Sequence, residues 1–293
     1  MPQPSDIICV GSFLWDVIGR SSNHMRVGSD VPGRITRLPG GVALNIAMTL
    51  QQFGIKPTVL SAIGKDKAGA ELLHEMERMG MDCAHIYKSD DLPTDVYMAI
   101  EGGNGLIAAI ADAHSLEAAG DKILTPLRTG ALKIGDQPFV LDGNLTVDLL
   151  QTIATDDLFK GADLRIAPAS PGKALRLNAF IPHATATLYV NLEEAGFLCS
   201  TDFEDSRTAA ETLLKRGCAR VLVTDGARSV TDGTKNSLIT QTPPEVLVTR
   251  VTGAGDTFMA AHIASEVQGM SRDDALNRAL KAAATYVSGA TPK

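Results

Sequence analysis

The chain has 293 residues, a net charge of −7, and 44% hydrophobic against 21% charged residues. That apolar share fits a large buried core, and the acidic balance argues against a general nucleic-acid or anionic-membrane surface while leaving room for a local phosphate site. No apolar stretch approaches the length of a membrane span. Residues 1–6 lack the basic-then-apolar pattern of a secretory leader. Cys9, Cys83, Cys199 and Cys218 are scattered without a Cys-x-x-Cys pair, which predicts buried free thiols in a reducing cytoplasm.

Residues 7–11 form a short apolar run ending in Gly11, the pattern of a buried strand that delivers the chain to a loop. Asp16, inside the apolar segment 14–18, is either a turn residue or a carboxylate aimed into a pocket. Residues 17–38 lack helical periodicity and carry Gly19, Gly28, Pro32 and Gly33, so they predict short strands and turns that project from the main body. Gly40 and Gly41 then open a helix that runs to about Phe53 and stops at Gly54. A glycine pair before a helix lets a small ligand lie against the backbone. Asn45, one turn in, offers a donor and an acceptor that suit a sugar diol.

Residues 58–64 predict the next strand and 69–79 the next helix. This βαβα order implies a parallel sheet covered by helices. Between 94 and 112 the pattern becomes a hairpin turning at residues 102–105, which together with 17–38 predicts a small second sheet acting as a lid. The doubly wound order then resumes with strands at 139–142, 163–167, 186–191 and 220–224. Helices are expected at 146–152, 173–180 and 206–216, and two more, 254–268 and 271–288, finish a single domain spanning 1–293.

In an open α/β sheet, ligands bind beyond the carboxyl ends of the strands. That rule brings forward Gly11 and Asp16, Asp142 and Asn144, Ser170 and Lys173, Asn191 and Glu194, Thr224 and Gly226, and Asp256. The stretch 250–258, preceded by the apolar run 245–249, is the most informative. Gly253 and Gly255 let the backbone approach a ligand, and the amides that follow open a helix whose N-terminus suits an anion. Asp256 is then either a base at the mouth of that anion hole or an N-cap. Asn191 and Glu194, at capping-box spacing, are open to the same two readings. Thr224 and Gly226 offer a hydroxyl and amides to a phosphate or form a plain turn, and Lys173 neutralises a phosphate or is solvated. The six histidines form no ligand-spaced cluster, and neither a Gly-x-Ser-x-Gly elbow nor a Walker loop is present.

With these residues assembled, the chain resembles the ribokinase-like (PfkB) family of carbohydrate and nucleoside kinases over essentially its full length. One signature is carried by Gly40, Gly41, Asn45, Ala47, Gly54 and Gly64, and a second by Thr252, Gly253, Ala254, Gly255 and Asp256. Asn191 and Glu194 match the family's Asn-x-x-Glu motif. The resemblance implies a three-layer α/β ribokinase-like fold, a mostly parallel central sheet flanked by helices with a small β lid, and a homodimer formed through that lid. It implies ATP and Mg²⁺, with Asp256 as the base and the amides of residues 253–256 as the anion hole. It further implies that Asn191 and Glu194 organise Mg²⁺, its waters and the phosphates, that Thr224 and Gly226 contact the nucleotide, and that Asp16, Gly40, Gly41 and Asn45 hold the sugar.

Segments 109–112, 141–145, 169–174 and 251–252 are more similar to pseudouridine kinases than to ribokinase. The implied reaction is phosphorylation of the primary 5′ hydroxyl of a small-molecule ribosyl compound, foremost pseudouridine, with Asp112, Asn144 and Lys173 reading the base; the alternatives are a kinase of another sugar or nucleoside (ribose, adenosine, a ketohexose or 2-keto-3-deoxygluconate) and a non-catalytic ligand-binding relative. Three departures stand out. Arg250 occupies the place where many members have an aspartate that helps bind a monovalent cation, which weakens the expectation of K⁺ activation. Ser229 replaces a common glycine in the nucleotide loop, and with Lys293 following closely on Ala290 the segment beside the adenine pocket is expected to be curtailed.

Overall fold

The computed structural model describes residues 7–292; residues 1–6, on which the expectation about a leader falls, and Lys293 lie outside the described residues. In chain order the strands are β1 (Ile8–Val10), β2 (Leu14–Arg20), β3 (Arg34–Gly40), β4 (Thr58–Leu60), β5 (Ala62–Gly64), β6 (Tyr87–Ser89) and β7 (Val96–Gly102). They continue with β8 (Gly105–Asp112), β9 (Pro138–Asp142), β10 (Asp163–Ala167), β11 (Ala186–Asn191), β12 (Arg220–Thr224), β13 (Val230–Thr234) and β14 (Ser237–Gln241). The helices are α1 (Val42–Gln52), α2 (Lys67–Arg78), α3 (His114–Ala119), α4 (Thr125–Arg128), α5 (Val147–Thr155), α6 (Leu192–Cys199), α7 (Ser206–Lys215), α8 (Ala254–Val267) and α9 (Arg272–Val287).

The main sheet has eight strands in the order β14-β13-β12-β11-β10-β9-β1-β4. From β12 to β4 every neighbouring pair is parallel, and β13 and β14 extend the sheet antiparallel. Parallel strands need both faces covered, and alternation along each strand supplies the apolar groups. Ile7 and Cys9 pack into a core shared with α1, α2, α8 and α9, whereas Ile8 and Val10 pack into another with α5, α6 and α7. The result is the expected three-layer α/β arrangement. Among the described residues, no helix is long and apolar enough to cross a membrane.

Segments 17–38 and 94–112 pair in a separate four-stranded sheet, β3-β2-β7-β8. β2 begins at Leu14, directly after β1 ends at Val10, so this sheet stands at the carboxyl edge of the main one. Trp15 anchors it: the indole N–H donates to the Ala68 carbonyl over 2.9 Å, and the Arg37 guanidinium lies 3.8 Å from the ring centroid. Helix α8 is buried nearly all round from Thr257 to Ser265. It is pinned to the sheet by Glu266, which meets Arg165 of β10 at 2.6 Å and Arg220 of β12 at 2.7 Å.

Several expectations need correction. The helix expected at 173–180 is a 3₁₀ segment, Pro171–Phe180, opening on Pro171 and Gly172, two poor formers of regular α-helix. The β13–β14 hairpin and α6 were not expected; each is short, with too few residues to display a period. The helix expected at 69–79 starts at Lys67, because Asp66 caps it by accepting from the Gly69 amide over 2.7 Å. The apolar run at 245–249 joins no strand, and Leu247 is 83% exposed.

Candidate active site

Helix α8 starts where the chain must turn sharply. Gly253 is its N-cap with φ of 88°, a left-handed conformation that suits glycine, and no side chain caps the helix. The first amides of a helix have no intrahelical acceptor. Here the Ala254 N–H is engaged by the Val251 carbonyl at 3.1 Å, while those of Gly253, Gly255 and Asp256 have no partner among the described residues. The anion hole is therefore narrower than the expected 253–256. Ala254 drops out because its donor serves the turn.

Asp256 lies in the first turn of α8 and is partly exposed. Its Oδ2 accepts from Asn45 Nδ2 at 2.9 Å, so the two signature segments meet. Burial pushes its carboxyl up to about 7, the Asn45 hydrogen bond opposes that, and the charges of Asp142 and Asp16 add to it. A carboxylate poised near neutral pH, beside free amides, has the equipment of a general base. One Asn45 amide N–H is given to Asp256, and Asn45 also lines the cavity.

Gly40 and Gly41 precede α1 for steric reasons. A Cβ on Gly40 would strike the Asp16 carboxylate, and one on Gly41, whose φ is 101°, would strike the Ser12 carbonyl. Asp16 thus packs against Gly40, and Asp16 and Gly41, though not Gly40, line the cavity; burial raises the Asp16 carboxyl to about 6. Beneath them Asp142 is completely buried. Its Oδ2 accepts from Ser12 N at 2.8 Å, Ser12 Oγ at 2.7 Å and Ala43 N at 3.0 Å, and its Oδ1 accepts from Asn144 N at 2.9 Å. This clasp joins β1, α1 and β9 at the floor of the site. Ser12 was not foreseen, and nothing local in the sequence marks it.

Asn191 and Glu194 form a full capping box: Asn191 Oδ1 accepts from Glu194 N, and Glu194 Oε2 accepts from Asn191 N, both at 2.8 Å. The two readings are compatible, because Glu194 keeps Oε1 and both residues line the cavity. Burial pushes Glu194 up to about 7, against the Asn191 amide, with Glu193 and Asp256 pushing the same way as burial. Thr224 ends β12 in the same wall. Gly226, with φ of 57°, lies just beyond in an adjoining groove of about 950 Å³ that runs over α6.

The cavity itself measures about 460 Å³ and brings together Asp16, Asn45, Asn144, Lys173, Glu194 and Asp256. The amino ends of α1, α6 and α8 all open onto it. Lys173 Nζ donates to Asn144 Oδ1 at 2.6 Å, forming a polar pair on one wall; Lys173 is pushed below its ordinary range by burial and by Arg176. Asp112 does not join them. It lies opposite Val96 in the β7–β8 ladder, on the other face from Tyr97 and Ala111, and accepts from His114 instead. Tyr97, paired with Asp16 across β2 and β7, takes the place in the wall that was expected for Asp112. Its signal was the alternation along β7, where Tyr97 and Ala99 oppose Val96 and Met98.

The pfkB family carbohydrate kinase model matches residues 4–291. The chain is 27% identical over 282 residues to a pseudouridine kinase of Escherichia coli, covering 92% of this chain and 86% of that one. It is 25% identical over 294 residues to a guanosine-inosine kinase of Exiguobacterium acetylicum, covering 96% and 94%. The structure of Arabidopsis thaliana ribokinase complexed with ribose and ATP superposes with a TM-score of 0.78 at 20% identity, covering 96% of this chain and 92% of that one.

Proposed function

The chain belongs to the pfkB family of carbohydrate kinases, and from that premise we propose that it phosphorylates the primary 5′ hydroxyl of a ribosyl compound with ATP, pseudouridine being the substrate it fits best. The observation that carries the reading is Asp256 beside the unpartnered amides of Gly253 and Gly255, facing a cavity of nucleoside size. The acceptor hydroxyl gives its proton to Asp256 Oδ1, the oxygen that Asn45 leaves free, as its oxygen bonds to the γ-phosphorus. The bond from that phosphorus to the bridging oxygen breaks, and ADP leaves with the electron pair. The amides at the start of α8 receive the charge carried by the transferred group. Asp16 and the backbone at Gly40 and Gly41 hold the sugar, while Thr224 and Gly226 contact the nucleotide.

Magnesium would supply positive charge to offset that of the phosphates. Asn191 and Glu194 would hold it through water, and the donors fit a hard cation: Oε1 of Glu194 is free of the capping box, and Glu193 and Asp256 lie near enough to raise that carboxyl. Arg250 weakens the expectation of a monovalent cation, and exchange of K⁺ for tetramethylammonium tests whether the rate depends on one.

The choice of pseudouridine rests on the Asn144–Lys173 pair, in which Asn144 Nδ2 donates to Ser12 Oγ at 2.8 Å and holds the amide while the ammonium keeps donors for the edge of a base, and on the likeness to the E. coli pseudouridine kinase. The four free cysteines suit a cytoplasmic setting. We read the exposed Ile35, Met98 and Ile110 on the outer face of the small sheet as a dimer contact. The test of substrate is a panel of pseudouridine, uridine, guanosine, ribose and fructose 6-phosphate with ATP. Turnover of another member and none of pseudouridine would sink the substrate while leaving the kinase.

A further inference from the structure

The last turn of α9 ends in carbonyls that no later turn of helix can satisfy. Residues 249 and 250 cover them. The amides of Thr249 and Arg250 donate to the Val287 carbonyl at 2.8 and 3.2 Å. The Arg250 side chain goes further, its Nε donating to the Tyr286 carbonyl at 2.8 Å and a terminal nitrogen to the Ala290 carbonyl at 3.1 Å. A cation at a helix carboxyl end is favoured by the helix dipole. The same guanidinium lies 3.7 Å from the centroid of the Tyr286 ring, a cation–π stack.

Tyr286 in turn reaches the phosphate end of the cavity. Its hydroxyl donates to the Thr252 carbonyl at 2.9 Å and stands 2.6 Å from where a Cβ on Gly253 would be. Gly253 carries one of the free amides itself, and Thr252 and Gly253 lead directly into the turn that presents those of Gly255 and Asp256. The chain of contact is therefore unbroken from the guanidinium, through the ring, to the anion hole.

We infer that Arg250 and Tyr286 are positioning residues for the phosphate end of the site. The guanidinium ties residues 249–253 to the carboxyl end of α9, and the phenol held beneath it sets the conformation of Thr252 and Gly253. Neither residue is required to touch the nucleotide or the acceptor. The inference rests on the reading of α8 as the phosphoryl-transfer centre.

The test compares Arg250→Ala, Arg250→Lys, Tyr286→Phe and Asp256→Asn with the wild-type enzyme, measuring kcat, both KM values and the unfolding midpoint. Arg250→Ala is expected to lower kcat roughly ten- to a hundredfold with the acceptor KM nearly unchanged, as displaced catalytic groups do. Arg250→Lys and Tyr286→Phe should fall between, each keeping half of the device. Dilute guanidinium or methylguanidinium ion should restore part of the rate of Arg250→Ala and none of Asp256→Asn. An Arg250→Ala enzyme within about twofold of wild type, while Asp256→Asn is inactive, overturns the inference and spares the centre. Losses that track the unfolding midpoint across the Arg250 variants, with no rescue by guanidinium, reduce Arg250 to a stabilising role and also overturn it. An active Asp256→Asn removes the centre and the inference together.

Discussion

Asn45 donates its side-chain N–H to Asp256 Oδ2 at 2.9 Å across 211 positions of sequence. The bond joins the first turn of α1 to the first turn of α8, and it orients the carboxylate assigned as the base. Replacing Asp256 with Asn keeps the shape of the site and removes its proton acceptor. We expect kcat to fall by ~10²–10⁴-fold, and a change below tenfold in a folded variant would take Asp256 out of that role.

The same bond holds the Asp256 carboxyl below where burial alone would set it. Asn45→Ala removes that restraint, so the acidic limb of the kcat/KM profile should move to higher pH. For the wild type this limb should lie near neutrality, Asp256 standing at about 7. An Asn45→Ala profile that is lowered but not displaced would mean that Asn45 acts on the substrate alone.

Stability carries an opposite sign. A carboxyl raised in the folded state from the usual carboxylate range to about 7 binds more protons folded than unfolded, so its contribution is present at low pH and lost as pH rises through 7. Asp256→Asn should therefore raise the unfolding midpoint of the ligand-free protein at pH 8 and leave a smaller gap at pH 5. Calorimetry at the two values decides it; equal gaps would mean that the folded carboxyl is not raised.

Lys173 and Asn144 face the cavity as a hydrogen-bonded pair. If they read a base, Lys173→Met should raise the KM for pseudouridine by about ten- to a hundredfold, the cost of one charged hydrogen bond lost in a buried setting. The KM for ribose, where it is turned over at all, should hardly change. Equal effects on both would assign Lys173 to the phosphate or the sugar.

Ile110 is 70% exposed and lies opposite Met98 on the outer face of the small sheet. A charge there, Ile110→Asp, should yield a monomer by light scattering if copies of the chain meet at that face. A wild-type monomer would remove the contact outright.

The glycine frames around Asn45 and Asp256 were legible because each is a local pattern whose physics is local: a turn, a close approach, a helix start. The strand ends were legible too, since buried parallel strands announce themselves as apolar runs. The floor of the site was not. Ser12 meets Asp142 across 130 positions, and no window of sequence contains both. The side of a hairpin that a residue faces depends on register, which no single window fixes, and the ladder sets Tyr97, not Asp112, toward the cavity. Ala254 was overcounted because which amides stay free depends on how the turn from Val251 closes.

The helices that begin at Gly41, Asn191 and Gly253 point their positive ends at one cavity in a chain whose net charge is −7. The same cavity holds the carboxylates of Asp16, Glu194 and Asp256, so the exposed amides draw in an anion only at close range, against acidic side chains in the same wall. Capture of a nucleotide is thus decided at contact distance, shorter than the screening length of ordinary buffers, and added salt should change the encounter little.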